Sequence, residues 1–258
     1  MPNPQFVVWF KDVDRDDIPL VGGKGANLGE MVKAGFPVPD GFIVTAKAYF
    51  YFLDKNNLKG KIKKLIDMVD VHKSTSLQSA SNQIRKLINL SSVPDDLARQ
   101  IMLSYLKLGN NTPVAVRSSA TAEDLPDASF AGQQETFLNV IGEANVVNRV
   151  RDAFSSLFTP RAIFYRVEKK FDHFKIGIAI PVQKMIQSES SGVMFTINPV
   201  NNDKSAVMIE AIWGLGELIV QGSVTPDHYE VLKRTYEIAV KQINRQTVKM
   251  VRNQREAM

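Results

Sequence analysis

Two cations in this sequence stand where their neighbours would let them grip an anion. Lys24 lies within Gly22-Gly23-Lys24-Gly25, just ahead of a helical pattern. Glycines let backbone N–H groups approach an anion, and a helix offers its positive N-terminal end to it. The spacing is not that of a Walker A loop, which needs four residues between its glycines and a Ser or Thr after the Lys. Arg117 directly follows the apolar run Val114-Ala115-Val116 and precedes Ser118, Ser119 and Thr121. A guanidinium fork matches phosphate oxygens two at a time, and hydroxyls can add donors. Both segments also have plainer readings. The glycines would serve a tight turn, and Arg117 would pair with Glu123 or Asp124.

Three further segments could complete a nucleotide site. Ser129 to Thr136, with Gly132 and Thr136 in it, is rich in small and amide groups and could close over phosphates; a simple turn explains it equally well. In Pro181 to Ile186, alternation puts Gln183 and Met185 on one side of a strand. Apolar surface beside backbone polar groups suits adenine, and also suits an ordinary core strand. Glu217 follows an apolar strand and a Gly-rich turn. It could accept from ribose hydroxyls, or sit at a helix N-terminus and meet the dipole there. His72, His173 and His228 are isolated from one another and from carboxylates at ligand spacing, so they read as structural.

These residues need elements to hold them. Val7–Phe10 predicts a short strand, Ala26–Ala34 a helix stopped by Gly35, and Phe42–Thr45 another strand. Ala46–Leu106 reads as mainly helical. Leu58, Ile62, Leu65, Ile66 and Val69 share one face, and Pro94 opens the last helix. Val114–Val116 and Thr136–Val140 read as strands, with a long helical stretch from Glu143 to Phe171 after them. Ile178–Ile186, Gly192–Ile197 and Ala206–Ile212 read as strands, and Tyr229–Val251 as a hairpin. The expected fold is α+β: a helix-rich part over residues 1–110, a β-rich part over 111–258, and a cleft between them.

Composition excludes several classes. The 258 residues are 44% hydrophobic and 23% charged, enough for a globular core. Without Cys, disulfides, thiolate zinc sites and Cys nucleophiles are impossible. No signal peptide and no membrane-length apolar run is visible, which agrees with a cytoplasmic protein. The net charge of +5 is spread among acids. The denser run from Lys55 to Lys64 has no interleaved aromatics and reads as a solvated helix face, not a nucleic-acid surface.

Taken in order, several blocks resemble the phosphoenolpyruvate synthase and pyruvate, phosphate dikinase family. They are Val21 to Met31 with Pro37 to Phe42, Val116 to Ala120, Ala131 to Leu138, Gly192 to Thr196, and Trp213 to Glu217 with Val220-Gln221-Gly222. The wording from Asp124 to Gly132 is closest to the synthase branch. The resemblance implies an ATP-grasp-like region of two lobes that binds ATP. Lys24 and Arg117 would hold the phosphates, with Gly132 and Thr136 in the loop over the terminal ones. Gln183 and Met185 would line the adenine pocket, and Glu217 would hold the ribose. It further implies a histidine phosphorylated on another domain, pyruvate as acceptor on a third, a role in gluconeogenesis and a homo-oligomeric full-length enzyme. No Thr- and Gly-rich phosphohistidine motif occurs here, so the three histidines do not take that role. The acidic magnesium ligands of the family are expected after Met258, so the region is expected to be incomplete and inactive alone. A related dikinase, a rifampin phosphotransferase and a non-catalytic nucleotide module remain the alternatives.

Overall fold

The computed structural model describes residues 5–121 and 135–253. The chain divides at Met185/Ile186 into two compact units. The change of character near residue 110 falls inside the first unit, where helices give way to strands of its sheet.

The first unit opens with β1 (Val7–Trp9), then 3-10 turns over Phe10–Asp12 and Arg15–Asp17. α1 (Ile18–Lys33) follows, then β2 (Gly41–Val44), α2 (Ala46–Lys55), α3 (Leu58–Asp67), α4 (Ser74–Asn89) and α5 (Asp95–Leu108). β3 (Val114–Arg117), β4 (Ser119–Ala120), β5 (Thr136–Val140), α6 (Glu143–Ser155), α7 (Pro160–Glu168) and β6 (Ile178–Lys184) complete it. The strands form one sheet in the order β1-β2-β6-β3-β5, with β4 also on β6, and each of these pairings is antiparallel.

The helices form because their apolar residues fall on one face. Leu77, Ile84 and Ile88 of α4, Leu97, Ile101 and Tyr105 of α5, and Val146, Val150 and Phe154 of α6 are buried at spacings of four or seven. They pack with Phe42, Phe52, Val116 and Val182 into the main core. The helix expected from Glu143 to Phe171 is broken. A 3-10 turn spans Ser156–Phe158, and Pro160, which has no N–H to donate, starts a new helix capped by the Thr159 hydroxyl. The strand expected to reach Ile186 ends at Lys184.

This core holds a guanidinium. Arg166 is fully buried; its Nε donates to His173 Nδ1 at 2.9 Å and its Nη2 to the Leu157 carbonyl at 2.6 Å, and it lies over the Phe158 ring. Among the described residues no carboxylate pairs with it, and its Nη1 and the Tyr49 hydroxyl are buried without partners. Burial pulls the Arg166 pKa down to about 10. Burial, and then the neighbouring Arg166 charge, push His173 down to about 4, so its Nδ1 stays an acceptor at neutral pH.

The second unit is a four-stranded antiparallel sheet in the order β10-β9-β8-β7. Its strands are β7 (Ser190–Phe195), β8 (Ala206–Trp213), β9 (Asp227–Leu232) and β10 (Ile238–Gln242), with the short α8 (Glu217–Val220) after β8. The hairpin expected from Tyr229 is β9 with β10. Met208, Ile212 and Leu215 are buried there, while Met194, Trp213 and Val240 are exposed.

Candidate functional site

Successive residues of a strand point to opposite faces, and residues paired across a ladder point to the same one. In β3, Val114 and Val116 face the core and are fully buried. Ala115 and Arg117 therefore face the other way. Ala115 is paired with Gln183 of β6, and Arg117 with Thr136 of β5. Ala115, Arg117, Thr136 and Gln183 thus share one face across three strands. Two residues along a strand span about 7 Å, which is the step between the Gln183 and Arg117 rows. Next on that face come Pro181 and its partner Ile43. Ile43 belongs, with Val21, Ala26, Leu28 and Ala179, to a smaller apolar cluster under α1. The helix closes one part of the face and leaves the polar part uncovered by that cluster.

Lys24 is brought to this region by backbone packing. The helix does not run unbroken from Ile18: Gly22 has φ 68° and ψ 168°, so the regular turns begin after it. A side chain at Gly22 would be strained at that φ, and its Cβ would lie 2.7 Å from the Ser119 carbonyl oxygen. The Lys24 N–H donates to Ser119 Oγ at 3.1 Å. One of the amides expected to meet an anion is therefore used by a side chain, and that bond anchors Lys24 two residues from Arg117. Gly25 has a packing role too, since a Cβ there would lie 2.9 Å from Ile43 Cδ1.

The hydroxyls beside Arg117 serve the fold, where the sequence suggested extra donors to a ligand. Ser118 Oγ donates to the Glu135 carbonyl, which also receives the Ser118 N–H, and Thr121 Oγ1 exchanges bonds with the Gly177 backbone. The Glu135 carboxylate is paired with Arg85 of α4. These contacts fix Thr121 and Glu135 themselves. The supporting roles of Arg85 and Ser119 are not visible in the sequence, because their partners lie 50 and 95 residues away.

Gln183 Nε2 donates to the Pro39 carbonyl at 3.1 Å, and among the described residues its Oε1 carries no hydrogen bond. Met185 follows the end of β6, its N–H held by the Pro113 carbonyl at 2.9 Å. Arg117, Gln183 and Met185 are partly buried, and Thr136 is exposed. Gly132, and the Glu123 and Asp124 offered as partners for Arg117, lie outside the described residues. Glu217 is in the second unit. It sits in the first turn of α8, and its Oε1 accepts from Gln221 Nε2 at 3.0 Å. Among the described residues no three of His, Asp and Glu gather in a way that could hold a metal.

The first unit is thus an α+β domain whose sheet carries Arg117 on a partly polar face, with the backbone of Lys24 in α1 anchored on Ser119 of the same sheet; two cations on neighbouring elements suit phosphate groups. Residues 18–258 match the family described as "Pyruvate phosphate dikinase, AMP/ATP-binding domain", and the chain belongs to that family. It is 49% identical over 256 residues to the probable phosphoenolpyruvate synthase of Methanocaldococcus jannaschii, covering 97% of this chain and 22% of that protein. It is 45% identical to the phosphoenolpyruvate synthase of Pyrococcus furiosus, over 96% of this chain and 35% of the relative. With the probable phosphoenolpyruvate synthase of Archaeoglobus fulgidus the identity is 55%, over 86% of this chain and 30% of the relative. The chain therefore spans a fifth to about a third of the length of these relatives.

Proposed function

We propose that this chain is the ATP-binding part of a phosphoenolpyruvate synthase, and that the open face of the first unit's sheet takes the nucleotide. The observation that carries this is the shared face of Ala115, Arg117, Thr136 and Gln183, with Lys24 anchored through Ser119 two residues from Arg117. Arg117 would hold phosphate oxygens through its fork, and Lys24 would add a compact positive charge. Thr136, opposite Arg117, would donate its hydroxyl to the same group. Gln183 Oε1 would accept from the amino edge of adenine beside Met185. Glu217, in the second unit, is proposed to accept from ribose hydroxyls. Gly132 is proposed to belong to the loop over the terminal phosphates.

The work of these residues is binding, charge neutralisation and alignment, which is most of what phosphoryl transfer asks of a protein. Magnesium would neutralise the polyphosphate in the full-length enzyme. The described residues offer no cage for it, so no step here depends on it. The histidine that receives the phosphoryl group and the site for pyruvate are assigned to other parts of the full-length, homo-oligomeric, cytoplasmic enzyme. There ATP, pyruvate and water would become AMP, phosphoenolpyruvate and phosphate, in gluconeogenesis. No described helix is long and apolar enough to cross a membrane.

Calorimetric titration of the chain with ATP, beside Lys24→Ala and Arg117→Ala, tests the reading. Binding that both substitutions weaken supports it. If the chain and an extended form reaching past Met258 both fail to bind, the phosphate contacts assigned here are wrong.

A further inference from the structure

Away from that face, α3 and α4 pack together and leave a groove of about 500 Å³. Its floor is Leu65 and Met68 from the α3 side and Leu87 and Leu90 from the α4 side, each pair spaced by three residues. Leu90 is 75% and Met68 73% exposed. Single exposed apolar residues are ordinary, but Met68 and Leu90 gathered with the half-buried Leu65 and Leu87 in one concavity mark a surface for a partner.

The rim states the partner's charge. Lys61, Lys64 and Lys86 border the groove, and among the described residues no Asp or Glu lines it. Nearby lysines are neutralised within the unit: Lys59 pairs with Asp54 at 2.6 Å and Lys63 with Asp67 at 2.7 Å. Among the described residues, Lys61, Lys64 and Lys86 have no carboxylate within salt-bridge distance. We propose that this groove docks an amphipathic helix of a partner protein, with leucine-like residues at i, i+3 or i+4 and i+7 and acidic residues on both flanks. The apolar stripe would fill the floor while the acids meet the three lysines, which fixes orientation and speeds encounter.

Other occupants fit less well. A second copy placed symmetrically would set lysines against lysines. A bilayer surface cannot follow a concave floor. Single-stranded nucleic acid needs aromatic platforms, and among the described residues no aromatic one lines the groove.

The test is an anisotropy titration of the intact chain with a labelled synthetic helix carrying leucines at i, i+3 and i+7 and flanking glutamates. Saturable binding that weakens with salt is expected. The triple variant K61E/K64E/K86E and the double variant M68S/L90S should each weaken it by about tenfold or more. These positions are exposed, so thermal unfolding should be unchanged, and a variant that does unfold earlier is replaced by L90S alone. Four results would overturn the proposal: no saturable binding; equal binding of the same helix with lysines for glutamates; indifference to both variants; or sedimentation of the chain as a dimer that M68S/L90S dissociates. Capture of phosphatidylserine vesicles without capture of the helix would assign the groove to a membrane and overturn it as well.

Discussion

The two faces of the first unit's sheet do different work with the same strands. On one face Val114, Val116, Ile180 and Val182 are fully buried among the helices. On the other, Ala115, Arg117 and Gln183 alternate with them one residue out of step. The first face contributes stability in proportion to the apolar area it removes from water. The second is divided: Ile43 and Ala179 are buried under α1 and contribute stability as well, while the stretch with Arg117 and Gln183 is only partly buried and can carry polar and charged groups. Arg117 and Gln183, proposed above to meet the nucleotide, stand on strands of a rigid scaffold, which holds side chains more closely to one geometry than a loop does.

Substitutions that separate the faces should give opposite signatures. Ile180→Ala, on the core face, should cost roughly 2–5 kcal/mol of stability. Urea unfolding would show it, while ATP affinity measured below the new midpoint should stay as in the parent. A matching loss of affinity would mean that the faces are not independent. Arg117→Ala should do the reverse, weakening ATP binding by roughly 2–3 kcal/mol with stability kept within about 0.5 kcal/mol. Arg117→Lys should recover only part of the affinity, because an ammonium lacks the planar fork. Gly22→Ala strains a left-handed position and crowds Ser119. A loss of about 1–3 kcal/mol in stability is expected, with weaker ATP binding as Lys24 shifts; unchanged calorimetric and thermal curves would show that the Gly22–Ser119 contact positions nothing. Gln183→Ala should cost about 1 kcal/mol of ATP affinity, and less for a triphosphate without the base.

The smallest effect at neutral pH concerns His173, which belongs to the core side. Its pKa falls from 6.5 unfolded to about 4 folded. Between those values the unfolded chain holds more protons, so stability rises with pH across this window. The contribution is complete above about pH 6.5 and is lost as pH falls toward 4. Urea midpoints measured from pH 7 to pH 4 should decline, and the decline should flatten in His173→Gln. An equal slope in that variant would assign the acid sensitivity elsewhere.

Much of this was legible in the sequence, for physical reasons that particular residues show. Val114 to Val116 and Thr136 to Val140 read as strands in the sequence and are strands in the fold, the first extended by Arg117, because β-branched residues and small breakers mark them. Lys24 and Arg117 stood out as cations among small residues, and their neighbourhood in space follows from the fold. What escaped the sequence depends on long-range contacts. The break before Pro160 was hidden by apolar residues that kept a helical period through Phe164. The use of the Lys24 amide by Ser119 needs partners 95 residues apart to meet. The pairing of Gln183 with Ala115 needs β6 to lie beside β3, an order that periodicity does not encode.

The alternation along β3 also has a bearing on which changes this chain can survive. Four residues there carry two interleaved messages, and only their count keeps the messages apart. Replacing one of the valines edits a single letter. Inserting or deleting one residue between Thr112 and Arg117 shifts the frame, so that the guanidinium turns toward Phe154 and the valines turn to the open face. In this short segment, length is under tighter constraint than identity.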